Sequence, residues 1–125
     1  MTEVVYKELS YKLVGLAYEA FNALGSGLKE KFYGNAFEQL LMDEKIIYQR
    51  ELFYPIKLRD KIIGKNFFDF LIEGKIVVEL KSGSDRYKEA CAQLNQYLKS
   101  SNLKLGLIIR FTKDGVKTKR ILNLY

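Results

Sequence analysis

The sequence predicts a single α/β domain over residues 1–125, and three observations carry that assignment. Apolar residues recur at helical spacing early in the chain and then give way to short β-branched and aromatic runs. Ile76, Val77, Val78 and Leu80 form a near-continuous apolar stretch, the pattern of a central strand covered on both faces. The 125 residues suit one domain rather than two, and 48% hydrophobic content is enough for a core.

Taken in order, Leu9, Leu13, Leu16, Ala20 and Leu24 place a helix over about Glu3 to Leu24, with Val5, Ala17 and Phe21 widening its apolar stripe. Gly25-Ser26-Gly27 ends it. A second helix is predicted from about Lys29 to Glu44, with Tyr33, Phe37, Leu40 and Leu41 on one side. Strands follow at Ile46–Phe53, Pro55–Leu58, Asn66–Ile72 and Lys75–Lys81, with turns at Asp60-Lys61 and Glu73-Gly74. Gly83-Ser84 opens a helix from about Asp85 to Ser100, with Ala90, Leu94 and Leu98 inward. Strands at Leu105–Phe111 and Thr118–Leu122, turned by Lys113-Asp114-Gly115, complete the order ααββ(β)βαββ.

Composition narrows the chemistry. The chain has no histidine, which removes Ser-His-Asp and Cys-His machinery, haem-His ligation and His-bound zinc. Its one cysteine, Cys91, excludes an intramolecular disulfide and a Cys-rich zinc site. Hydrolysis would have to run on carboxylates, lysines and a hard metal. No stretch reaches the roughly 18 apolar residues of a membrane span, and the start lacks a basic segment with a cleavable apolar core. A cytoplasmic protein without a membrane partner is therefore expected. The net charge is +6, and residues 1–98 are balanced, so the excess falls in Lys99, Lys104, Arg110, Lys113, Lys117, Lys119 and Arg120 against Asp114. Surface lysines aid solubility. The same charge is also a footprint for a polyanion, most often nucleic acid, with Arg110 and Arg120 suited to bidentate phosphate contacts.

Glu79 and Lys81 interrupt the apolar strand two residues apart, so both side chains point to one face. A charge there is costly unless it is paired or holds a metal. A loop of odd length around Glu73-Gly74-Lys75 puts Asp69 on the same face, whereas a two-residue loop puts it on the other. The odd loop is the expectation. Asp69, Glu79 and Lys81 together would suit Mg2+ and a phosphodiester, because Mg2+ takes hard oxygen ligands. A simple Glu79–Lys81 ion pair with a solvated Asp69 would explain the same pattern without chemistry. Glu30 in a first helical turn, and Gln93 and Tyr97 four apart on one helical face, have equally plain explanations.

Four motifs in order are more specific than any one: Gly27-x-x-Glu30-x-x-Tyr33, Asp69-x9-Glu79-x-Lys81, Gln93-x-x-x-Tyr97, and a close formed by Gly106-Leu107-Ile108-Ile109 with Lys119-Arg120-Ile121-x-Asn123. Together they resemble the PD-(D/E)XK nuclease superfamily, more narrowly its small GxxExxY proteins, with RecB-like features. The resemblance implies a restriction-endonuclease-like core, a mixed central β-sheet flanked by α-helices. It implies that Asp69 and Glu79 bind Mg2+ or Mn2+, with Glu30 completing or orienting the acidic cluster. Lys81 would position the attacking water and Gln93 would sit beside the site. Tyr97 would brace its helix and join Arg110, Lys119 and Arg120 as substrate-binding residues. Two positions depart from the family pattern: Ala90 stands where a histidine is frequent, and Arg110-Phe111-Thr112 replaces Asn-Phe-Gly.

The expected function is Mg2+-dependent hydrolysis of a nucleic acid, DNA above all, leaving a 5′-phosphate and a 3′-hydroxyl as the superfamily generally does. A Holliday-junction-resolvase-like endonuclease is a related alternative. A catalytically silent binding or assembly module with the same fold is a different one. A core this small has little surface for selecting a site, so a homodimer or a partner protein is expected.

Overall fold

A computed structural model describes residues 4–83 and 86–123. Three helices and five strands follow one another as α1 (Lys7–Leu24), α2 (Glu30–Asp43), β1 (Tyr48–Leu58), β2 (Lys61–Ile72), β3 (Ile76–Ser82), α3 (Tyr87–Ser101), β4 (Leu105–Thr112) and β5 (Gly115–Leu122). The strands form one sheet in the order β1-β2-β3-β4-β5. All neighbours are antiparallel except β3 and β4, which run parallel because α3 carries the chain back between them. The result is the expected mixed sheet flanked by helices.

α1 begins at Lys7, after Tyr6 in a left-handed conformation, and it ends where the Gly25 N–H bonds the Phe21 carbonyl at 2.7 Å. The expected start at Glu3 and the expected α3 start at Asp85 both lie outside the described residues. α1 and α2 cover one face of the sheet, burying Leu13, Leu16, Tyr33, Phe37 and Leu41 on Phe70, Ile72, Ile76, Val78, Leu80 and the β4 residues Leu105, Leu107 and Ile109. α3 covers the other face, with Ala90, Leu94 and Leu98 on Leu52, Phe68, Val77, Ile108 and Ile121. β3 is thus buried on both sides, as its apolar run requires.

The two strands expected before the first turn are one. β1 runs through Pro55, which pairs with Lys65, because β1 lies at the sheet edge, where a missing N–H is tolerated. β2 starts at Lys61 rather than Asn66, and the turn between them is Arg59-Asp60, both at positive φ. β5 likewise starts earlier than expected, at Gly115.

α3 approaches the sheet most closely over Gly106, where a Cβ would stand 2.6 Å from Leu94 Cδ2. Gly106→Ala is therefore expected to destabilise the protein by about 1–3 kcal/mol, as overpacking does. Gly15→Ala, in exposed α1 with nothing near its Cβ position, should instead stabilise by roughly 0.5–1 kcal/mol. Urea denaturation of the two variants checks the opposite signs.

Candidate active site

The site is built on the β2–β3 hairpin. Ile72 pairs with Ile76, leaving a three-residue loop in which Glu73 and Gly74 have φ of 53° and 65°. That odd loop sets Asp69 across from Glu79. Regular pairing stops at Phe70 and Val78, and the carboxylates take over from the ladder. The Asp69 N–H donates to Glu79 Oε1 at 3.1 Å, and the Leu80 N–H donates to Asp69 Oδ2 at 2.6 Å. β2 also rotates here, since Phe70 faces α1 and α2 whereas Phe68 joins the core under α3. Across from the rotation, Glu51 of β1 has φ 61° and falls between the pairs Arg50–Phe70 and Leu52–Phe68.

Glu79 is 9% exposed, and Lys81 Nζ lies 3.7 Å from its Oε2. Burial pushes the Glu79 carboxyl up to about 9, and the charge of the Asp69 carboxylate and a side-chain hydrogen bond with it push the same way, while Lys81 and the Asp69 backbone N–H oppose them. Burial and the facing Asp69 thus favour the protonated form of Glu79 unless a cation offsets the two charges. A hard divalent cation would satisfy both carboxylates, so Asp69 and Glu79 fit the ion that the sequence pattern implies.

Glu79 and Lys81 open into a cleft of about 170 Å³ on the α3 face, lined also by Asn66, Arg86, Glu89 and Gln93. Gln93 therefore shares a cleft with Glu79 and Lys81. Arg110 pairs in register with Lys81, and its guanidinium lies 4.2 Å over the Tyr87 ring, at the end of the same strand pair. Lys119 is exposed on β5, level with Ile108 of the α3-side core. Tyr97 packs on Phe68 and Tyr54 at ring distances of 5.0 and 5.2 Å, a brace between α3 and the first two strands.

Two expected roles are not supported by the geometry. Arg120 pairs with Leu107 and points to the α1 face, where it donates to Ser10 Oγ and the Val5 carbonyl, each at 2.8 Å. It ties β5 to the first helix and cannot reach a phosphate at the cleft. Glu30 belongs to α2, which packs on the face opposite Glu79 and Lys81. Its Oε1 accepts the Ser82 N–H at 3.1 Å, just beyond Lys81. Among the described residues, no three His, Cys, Asp or Glu side chains gather to hold an ion. Ser82 Oγ donates to the Leu28 carbonyl at 3.0 Å, and the Tyr33 hydroxyl donates to the Gly25 carbonyl at 2.5 Å. Glu30 and the Leu28 carbonyl thus hold Ser82 at the end of the strand that carries Lys81, and the Tyr33 hydroxyl ties down the loop that bears Leu28.

Sequence reasoning missed Asn66, whose buried Nδ2 has no hydrogen-bond partner. Alternation from Asp69 puts Asn66 on the opposite face, and only the rotation of β2 between Phe68 and Phe70 turns it into the cleft. It also missed Arg86 and Glu89, which bond each other at 3.0 Å at the cleft rim.

A family model described as the PD-(D/E)XK nuclease superfamily matches residues 7–121. The chain belongs to the PD-(D/E)XK nuclease superfamily. Its mixed sheet flanked by helices is a restriction-endonuclease-like fold. A comparison with curated proteins returned no match. Among solved structures, the fold is similar to that of SSO0001, with 24% identity and a TM-score of 0.56 over 94% of this chain. The chain spans 57% of the length of that structure. It is also similar to an alkaline exonuclease from Laribacter hongkongensis, with 11% identity and a TM-score of 0.50, covering 98% of this chain and 72% of that one. No helix among the described residues of this PD-(D/E)XK domain is long and apolar enough to cross a membrane.

Proposed function

We propose that this chain hydrolyses phosphodiester bonds in nucleic acid, DNA in the first place, with Mg2+ or Mn2+ held by Asp69 and Glu79. The observation that carries the proposal is the pair of carboxylates opposed across parted strands with Lys81 beside them. When bound, the ion supplies a water of lowered pKa and neutralises charge on the phosphate. Lys81, on the same face as Glu79, orients the nucleophile and holds a non-bridging oxygen of the scissile phosphate. Gln93 and the free amide of Asn66 donate to the same phosphate from either side of the cleft. Arg110, held against Tyr87, and exposed Lys119 fix the backbone of the substrate strand. Glu30 acts at one remove, holding the Ser82 backbone and with it the direction of Lys81. A GxxExxY affiliation within the superfamily is in keeping with that clamp, and a homodimer or partner chain with the small core.

Incubating the protein with labelled single-stranded, duplex and branched DNA and with RNA, with Mg2+ or Mn2+, tests this beside Lys81→Ala and Glu79→Ala. Metal-dependent cleavage lost in both variants is the expected result. Cleavage that survives both would place the activity elsewhere. Binding without cleavage by the unaltered chain would make it a silent binding module. Asn66→Ala is expected to raise KM or lower kcat by about tenfold, the order of one lost hydrogen bond to a charged group. Steady-state kinetics on the best substrate measures it.

A further inference from the structure

The β1–β2 hairpin continues well past the body of the protein. Residues 55–65 contribute to neither core, although Leu52, Tyr54 and Phe68 at the hairpin base are packed under α3. Past that base, Ile56, Leu58, Ile62 and Ile63 are 40–65% exposed. The same segment carries Lys57, Arg59, Lys61 and Lys65 against Asp60 alone. The ribbon is nonetheless ordered as a ladder: Leu58 pairs with Lys61 around the tight Arg59-Asp60 turn, Lys57 with Ile62 and Ile56 with Gly64, across a bulge. Asn66, which lines the active-site cleft, pairs with Tyr54 where the overhang begins.

We propose that this hairpin is the arm by which the protein engages duplex nucleic acid, delivering the backbone to the cleft at its base. The inference rests on the nuclease reading and adds a substrate class to it. An isolated two-stranded ribbon is marginal in water and gains when a partner covers it. Exposed aliphatic side chains need a partner, and the surrounding cations choose among partners. A second copy of the chain would bring like charges together at the tip, whereas a polyanion neutralises them. A two-stranded ribbon fits a duplex groove, and isoleucine and leucine are residues that wedge between base steps. Single-strand platforms instead use aromatic rings to stack bases. The tip has none: Phe53 and Phe67 lie at the base of the ribbon and pack on each other at 5.3 Å. Lys57, Arg59 and Lys61 would then contact phosphates, with Leu58, Ile62 and Ile63 between them.

Fluorescence anisotropy with a labelled duplex and its separate strand tests this on the otherwise unaltered chain in EDTA, where the proposed metal-dependent cleavage does not proceed. Two variants are compared with it: Lys57→Ser/Arg59→Ser/Lys61→Ser, and Leu58→Ser/Ile62→Ser/Ile63→Ser. Both alter residues outside the cores, and circular dichroism verifies their fold. The cation variant should bind duplex about tenfold or more weaker, with the slope of log K against log salt reduced by about 3. The aliphatic variant should lose duplex affinity and keep the salt slope. If the metal-free parent binds no duplex although it cleaves nucleic acid with Mg2+, only the arm fails; if it neither binds nor cleaves, the nuclease reading fails with it. If the parent binds and both hairpin variants bind duplex as tightly, only the arm fails. Equal losses on duplex and single strand would overturn the duplex assignment. A dimer that the aliphatic variant dissociates, with duplex binding unchanged, would assign the ribbon to a second copy.

Discussion

A Glu79→Gln variant is expected to lose metal-dependent cleavage by about 10³-fold or more, and also to be more stable than the parent chain at alkaline pH without metal. The two effects have one origin. Glu79 is buried and faces Asp69, so its carboxyl sits at about 9 in the folded chain against an ordinary value of 4.5. Below the ordinary value, folded and unfolded chains both hold the proton, and the group costs nothing. Between about 4.5 and 9 the unfolded chain releases the proton while the folded chain retains it, so stability falls as pH rises. Above that window the dependence levels off. Thermal melts across this range should show the decline in the parent and its loss in Glu79→Gln. Mg2+ competes with the proton for the same oxygens, so it should raise the melting temperature of the parent most at the alkaline end and leave the variant little changed. Melts of the parent that are flat with pH and indifferent to Mg2+ would argue against a cation site at Asp69 and Glu79, whatever the cleavage assay gave.

Tyr33→Ala is expected to cost about 3–5 kcal/mol of stability, the order of removing a fully buried aromatic ring. The ring lies flat on Phe111, centroids 4.1 Å apart and 5° from parallel, so deletion opens a cavity between α2 and β4. Tyr33→Phe keeps that packing and removes only the hydroxyl that holds the Gly25 carbonyl, and about 1 kcal/mol is the expected loss. The conservative variant carries the functional test. If the clamp around Glu30 sets the direction of Lys81, Tyr33→Phe should lower kcat in a protein that is still folded. Urea denaturation beside single-turnover kinetics separates the two. A stable variant with unchanged turnover would reduce the motif to packing.

Asp69, Glu79 and Lys81 were legible together because strand parity carries across the short hairpin that joins β2 and β3. Once the loop at Glu73-Gly74-Lys75 is odd, Asp69 must face Glu79, and Lys81 follows two residues on. The same parity argues against Arg120. Neighbours along a strand point to opposite faces, so Lys119 and Arg120 cannot both address one groove, and the composition of the tail could not say which one does. The place of Glu30 was hidden for a different reason. Helical spacing gives the face a residue occupies on its helix, not the face of the sheet on which that helix lies. Pro55 divided a strand on paper because position in the sheet is a tertiary property. The basic arm was hidden by averaging: its cations are offset along the chain by acidic residues that lie elsewhere in space.

The substitution of side chains for ladder partners at Asp69 and Leu80 has a spectroscopic consequence. The Leu80 amide proton points at Asp69 Oδ2, and the Asp69 amide proton points at Glu79 Oε1. Their chemical shifts and exchange rates depend on carboxylates rather than on carbonyls that never titrate. In a ¹⁵N-labelled sample these two resonances become resident reporters, responding to proton, cation and scissile phosphate at the atoms where chemistry would occur. The protein needs no attached probe, since its own backbone registers the state of the centre.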